Sequence, residues 1–356
     1  MLLALVGLAQ AAEATKLPPF LRGDLEVSYQ LGLTGGTLTE GDVDVARSTY
    51  EEHRIHYGAA FGVAPGAAVF VEVPSYLRAR QSFADANEMI FDPNTEQGSM
   101  ATGGALEGET VIEGKGFGGV WIGARGTPFS EQWSGWGNRA TWLLEFAIQT
   151  ADTTDWWSSS EEGRGAGPGG PSVKLRSAFS KDVGNVEPWF DATADLRSWN
   201  YVTLRDTEGN NVNADWQDAH EGEVPKVYPS RTFGADVGLE ITTSESSERA
   251  SRSALDLHLG FDYHTWADIP SGMYLPDVLP ASQGTLVTQS EYMTIGGGLG
   301  VYYQVMDYLK FDLAADVDYV TPHRLEHPYQ VTTGANTIAI GAMFQMEVLI
   351  RTPDEG

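Results

Sequence analysis

The chain has 356 residues, with 49 acidic and 22 basic side chains, a formal net charge of −27 and no cysteine. That charge argues against a nucleic-acid partner, whose phosphates call for Lys and Arg. The missing thiols exclude a disulfide framework, a Cys-held metal and a thiol nucleophile. The 41 glycines and 11% aromatic residues, at modest overall hydrophobicity, point instead to many strands joined by turns.

The first residues read as an export leader. Leu2 to Ala9 is an apolar run, and Ala9-Gln10-Ala11 and Ala12-Glu13-Ala14 are small-x-small cleavage sites. We expect a signal peptide over 1–11, with cleavage after 14 as the other choice, then a periplasmic lead over 12–22. No later stretch holds eighteen consecutive apolar residues, which a spanning helix would need. An exported chain that nonetheless crosses a bilayer must do so as a closed barrel, expected here over 23–351 with a tail at 352–356.

Period-two alternation then runs through the chain, placing one residue set on each face of a strand. Residues 24–34 set Leu25, Val27, Tyr29, Leu31 and Leu33 against Glu26, Ser28 and Gln30, with a loop expected at 35–42. The second strand sets Ile55, Tyr57, Ala59, Phe61 and Val63 against Arg54 and His56, before a Pro65-Gly66 turn. The third sets Val69, Val71 and Val73 against Glu72, Arg78 and Arg80. After a polar stretch at 85–113, Val120, Ile122 and Ala124 alternate with Trp121 and Arg125. The fifth strand sets Trp142, Leu144, Phe146 and Ile148 against Glu145 and Gln149. The sixth opposes Val173, Leu175 and Phe179 to Lys174 and Arg176; the seventh, Phe190 and Leu196 to Glu187, Asp191, Asp195 and Arg197.

The eighth strand sets Phe233, Val237, Leu239 and Ile241 against Asp236 and Glu240. The ninth sets Leu255, Leu257, Leu259, Phe261 and Tyr263 against Asp256, His258, Asp262 and His264. A glycine-rich tenth carries Ile295, Leu299, Val301 and Tyr303. The eleventh opposes Leu309, Phe311, Leu313, Val317 and Tyr319 to Lys310, Asp312, Asp316 and Asp318. The closing strand, 337–351, presents Ile338, Ile340, Phe344 and Val348 on one face, expected to meet lipid, and Gln345 and Glu347 on the other. It exceeds the roughly nine to eleven residues that a tilted strand needs to cross a bilayer.

About twelve strands result, the even count of single-chain bacterial barrels. Connections at 64–66, 127–138, 183–185, 244–251 and 306–308 are mostly short, and those at 85–113, 153–171, 206–225 and 267–288 are long. Short periplasmic turns and long outer loops are the asymmetry expected of an all-β, closed antiparallel transmembrane barrel. Trp142, Tyr57, Tyr302, Tyr303 and Tyr319 are candidates for the interfacial aromatic girdles. A soluble sandwich would also alternate, but its apolar face would be a core and its charges would stand in water.

The leader, the long alternating strands, and segments such as Gly118-Gly119-Val120-Trp121-Ile122-Gly123-Ala124-Arg125 and Ser172-Val173-Lys174-Leu175-Arg176-Ser177 resemble Gram-negative outer-membrane β-barrels. More narrowly, the chain is similar to the transporter-like barrel family associated with phenol meta-pathway degradation clusters. The resemblance implies passive transport, with outer-membrane lipid and lipopolysaccharide as surroundings and a small-molecule solute as partner. One departure is the end, Arg351-Thr352-Pro353-Asp354-Glu355-Gly356, where many such barrels finish on an aromatic.

The charged faces are the functional clue. Arg54, Arg78, Arg80, Arg125, Lys174 and Arg176 fall in the first half, and Asp236, Glu240, Asp256, Asp262, Asp312, Asp316 and Asp318 in the second. With Glu72, Glu145, Asp191, Asp195 and His258 they form the expected lumen lining. Facing each other across a lumen, the two groups would set up a transverse field that orients a small polar or amphipathic solute. The alternative is a salt-bridge network that plugs a structural or adhesive barrel. His220, His264, His323 and His327 lie near the expected outer rim without ligand spacing, so separate loop histidines are expected rather than a metal site. Asp92-Pro93-Asn94-Thr95-Glu96 departs from the EF-hand pattern, so loose divalent-cation contact on acidic loops is the most it implies. No Gly-x-Ser-x-Gly elbow occurs, and Asp215 to His220 is the only local acid–His cluster, so neither catalytic residues nor a cofactor are expected and a hydrolase is the lesser alternative.

Overall fold

The structure, a computed structural model, describes residues 17–350 apart from 19, 41–42, 85–89, 92–99, 102–109, 131–139, 151–170, 202–216, 218–221, 224–225, 247–250, 271–285, 307 and 328–329. The expected leader and tail, the 92–96 motif and His220 lie outside the described residues.

One antiparallel sheet holds sixteen strand segments. They are β1 (Gly23–Glu40), β2 (Val43–Ala64), β3 (Ala67–Ala84), β4 (Thr110–Phe117), β5 (Val120–Phe129), β6 (Thr141–Thr150), β7 (Ser172–Ser180) and β8 (Val186–Arg197). There follow β9 (Thr232–Ser246), β10 (Ser251–His264), β11 (Ala267–Pro270), β12 (Leu286–Gln289), β13 (Tyr292–Met306), β14 (Leu309–Val320), β15 (His323–His327) and β16 (Gln330–Ile350). Four pairs of segments, β4/β5, β10/β11, β12/β13 and β14/β15, run end to end as single staves, which gives twelve staves in all. Both β4 and β5 pair with β3, on either side of the break at Gly118-Gly119.

The cylinder closes where β1 pairs with β16, with Leu25 opposite Val348 and Leu33 opposite Ile340. Closure is what lipid demands, since each unpaired backbone N–H or C=O at an open edge would cost several kcal/mol in hydrocarbon. A bulge interrupts the seam at Asn336, whose φ of 50° is the left-handed conformation that Asn tolerates better than most residues.

The two faces of the wall are chemically opposite. Ile338 is 51% exposed and Leu259 68%, while Ala339, one residue along from Ile338, is fully buried. Ile340, Phe344, Val237, Leu299, Leu313 and Val317 are exposed in the same way, and Val348 half-buried. This continuous apolar band is far larger than a soluble protein leaves in water. The apolar face is therefore no sandwich core. Tyr57, Tyr303 and Tyr319 are exposed on it, and Trp142 stacks between Phe129 and Phe179 at centroid distances of 6.0 and 5.4 Å. Tyr302 is a correction: it is 1% exposed, points to the inner face and reaches Gln304 at 3.1 Å, because it falls on the opposite parity from Tyr303.

Several expected loops carry strand. The 35–42 loop shrinks to 41–42, since β1 runs on to Glu40 and β2 starts at Val43. The 85–113 stretch ends in β4 and holds a small pairing of Ile90–Phe91 with Met100–Ala101. The 267–288 loop begins with β11 and ends with β12, and β15 precedes the final hairpin. Beyond the bilayer both faces of a strand can be polar, so alternation fades while pairing continues.

Candidate functional site: the inner wall

Every inner-face side chain is set by strand parity, and register decides its neighbours. On the β1–β8 side, cations sit among carboxylates. Arg125 of β5 lies 3.2 Å from Glu72 of β3 and 3.3 Å from Glu145 of β6, with its guanidinium 4.2 Å above the Phe70 ring. Arg176 of β7 meets Asp191 of β8 at 2.5 Å. Arg54 reaches Gln30 of β1 and lies 3.6 Å from Glu52. Arg197 holds Asp195 at 2.7 Å, Asp195 also accepts from Ser172, and Lys174 stands in register with Asp195. The expected transverse field needs correction on this side: its basic residues have carboxylates of their own wall beside them.

Arg78 and Arg80 need correction too. A bulge gives β3 an extra residue at Leu77, so that Tyr76 pairs with Arg54 and Arg78 with His53. Tyr76 and Ala79 are buried on the inner face, and Leu77 is exposed. The bulge flips the parity above it and turns Arg78 and Arg80 to the outer face. There Arg78 lies 3.6 Å from Glu51, and His53 bonds both Glu51 and Tyr29 at 2.6 Å.

The β9–β14 side is different. Glu240 pairs with Arg252 near the turn end of the wall. Further along, a buried chain spans five staves, drawing its side chains from three of them. Trp189 Nε1 of β8 donates to Asp256 at 2.8 Å, and His258 meets Asp256 at 3.0 Å through Nδ1 and Asp316 at 2.6 Å through Nε2. Both imidazole nitrogens face carboxylates. Asp236, Asp262 and Asp318 join His258 and Asp316 around a small cavity, and among the described residues the one hydrogen bond to those three is from Thr294 to Asp262 at 3.4 Å. Asp312 stands on the same face in register with Gln345.

At the outer end His264 and His323 stand on strands rather than loops, one on either side of the Tyr292 ring. His264, at the end of β10, stacks on Tyr292 at 4.3 Å, and Tyr292 lies 4.9 Å from His323 of β15. His264 Nδ1 meets Thr232 at 3.2 Å, and His327 pairs with Gln330 in the last hairpin. Among the described residues no three His or carboxylate groups are arranged to hold a metal. Sequence reasoning left out Trp189, Glu52, Tyr76 and Arg252. Parity alone could have found Trp189, which shares its face with Glu187 and Asp191.

A closed antiparallel barrel of twelve staves, apolar outside and charged within, has the architecture of a transmembrane β-barrel of the outer-membrane kind. Neither a protein-family model nor a curated protein sequence matches the chain. Among solved structures it is similar to an outer-membrane channel from Pseudomonas putida F1, at a TM-score of 0.52 and 10% identity over 96% of this chain and 100% of that one. A FadL homologue from Pseudomonas aeruginosa (TM-score 0.36, 10% identity, 92% and 89% covered) and the TodX monoaromatic hydrocarbon channel (0.41, 8%, 96% and 93%) are more distant. At such identities the likeness establishes the fold.

Proposed function

We propose that the protein is an outer-membrane channel for passive passage of a small polar or amphipathic solute, in a Gram-negative bacterium. The observation that carries this reading is the direction of the inner-face ion pairs. Arg125 with Glu72 and Glu145, Arg176 with Asp191, Arg252 with Glu240 and His258 with Asp316 each join staves no more than two apart. Such pairs run along the wall. A plug built from salt bridges would strut across the axis between opposite staves. Barrels of this size fall between filled eight-stranded cylinders and open sixteen-stranded porins. A hydrolase reading gains little from the best-placed histidine, because both nitrogens of His258 are committed to carboxylates and neither is left to activate a nucleophile.

Purified protein in planar lipid bilayers tests the proposal. Discrete current steps in KCl are expected. A folded barrel that inserts yet passes no current at any voltage would favour the plugged, structural reading and overturn this one.

A further inference from the structure

The β9–β14 wall has a second regularity. Each of its cavity-lining carboxylates lies flat over a glycine of the neighbouring strand. Asp236 is in register with Gly260, Asp262 with Gly234, Asp316 with Gly298 and Asp318 with Gly296. A Cβ built on any of those glycines would run into the carboxylate opposite it. The glycines thus clear room for acids to lie on the wall, where larger residues would push them toward the axis or out of register.

Charge is left over there. Asp256 and Asp316 share the His258 ring, but Asp236 and Asp318 have no ion pair or hydrogen bond among the described residues. The Asp316 side chain is 1% exposed, lines the cavity and offers His258 only one oxygen; the other, Oδ2, has no hydrogen-bond partner. Asp191, in register with Asp236, likewise gives one oxygen to Arg176 and leaves Oδ1 without a partner. Buried carboxylate oxygens are seldom left without a donor or a cation. Among the described residues no arginine or lysine lines this cavity.

We propose that this glycine-floored acidic patch is a transit site for small monovalent cations, protonated amines included. The inference deepens the channel reading and rests on it. Carboxylates spread over three strands, rather than converging on a point, suit a cation that keeps part of its hydration and leaves again. Conduction needs such weak, multiple sites. They do not suit a chelated metal, in keeping with the lack of a metal-holding group among the described residues.

Reversal potentials across a KCl gradient test this, on wild type and on D236N/D262N/D318N, with D318N alone as a milder variant. Wild type should prefer K⁺ over Cl⁻ by about tenfold, and the triple variant should lose most of that preference, D318N part of it. Heat-modifiable electrophoretic mobility shows that each variant is folded. Current with no cation preference, or a preference that survives in the folded triple variant, overturns the transit site and leaves the channel standing. Absence of any current overturns both.

Discussion

The β1–β8 wall and the β9–β14 wall share one sheet and one alternation, yet they handle inward charge in opposite ways. In the first, Arg125 bridges Glu72 and Glu145, and Arg176 covers Asp191. In the second, Asp236, Asp262 and Asp318 crowd around a single histidine, over glycines that let them lie close against the strand opposite. A carboxylate on an inner wall therefore has two ways to persist: a cation within ion-pair distance, or room for water or a mobile ion beside it. The two ways predict opposite responses to losing a charge.

The largest expected effect lies in the paired wall. Arg125→Met takes from Glu145, whose side chain is 2% exposed, its ion-pair partner at 3.3 Å and leaves only the more distant Lys174 and Arg176 charges beside it, and should cost about 3 kcal/mol, since breaking a buried pair leaves the partner undercompensated. Asp236→Asn removes a like charge and no partner, so its stability should stay within about 0.5 kcal/mol of wild type or rise. Denaturant titration of protein refolded in micelles measures both. The contrast between the walls breaks if Asp236→Asn proves the more damaging of the two.

Glycine substitutions sharpen the same contrast at smaller scale. A Cβ at Gly298 meets the Asp316 carboxylate and the Ala315 carbonyl, so Gly298→Ala should cost about 1–3 kcal/mol by overpacking. At Gly32, in the paired wall, the nearest atom to a new Cβ is Glu52 Cβ at 3.8 Å, ordinary contact. Gly32→Ala should move the midpoint by less than about 0.5 kcal/mol. Equal losses at the two sites would remove the glycine floor as a distinctive feature of the acidic wall.

These contrasts were only half legible in the sequence. Parity told Asp236, Asp262 and Asp316 from Val237, Phe261 and Val317, because period two is local and lipid makes the outer face uniform. Neighbours were not legible. That Asp318 lies over Gly296, that His258 reaches Asp316 from two staves away, and that His264 and His323 flank Tyr292 all depend on register between strands, for which a single sequence carries no signal. Strand length beyond the bilayer was lost for a related reason: β1 and β2 run on past the apolar band with polar residues on both faces.

The smallest predicted effect tests the one place where parity itself misled. Reading alternation through 76–80 puts Arg78 inside, and the extra residue at Leu77 puts it outside, beside Glu51. Both side chains of that pair are about a third exposed, 36% and 32%, and exposed pairs contribute about 0–1 kcal/mol. Arg78→Glu should therefore shift stability by less than about 1 kcal/mol. Its bearing on ion selectivity should be nil, because the apolar outer face and the wall itself separate residue 78 from the axis. Arg125→Glu, on the inner wall, should by contrast raise cation preference. A reversal potential that moves as far for residue 78 as for residue 125 would return Arg78 to the lumen and remove the bulge as the reason for its placement.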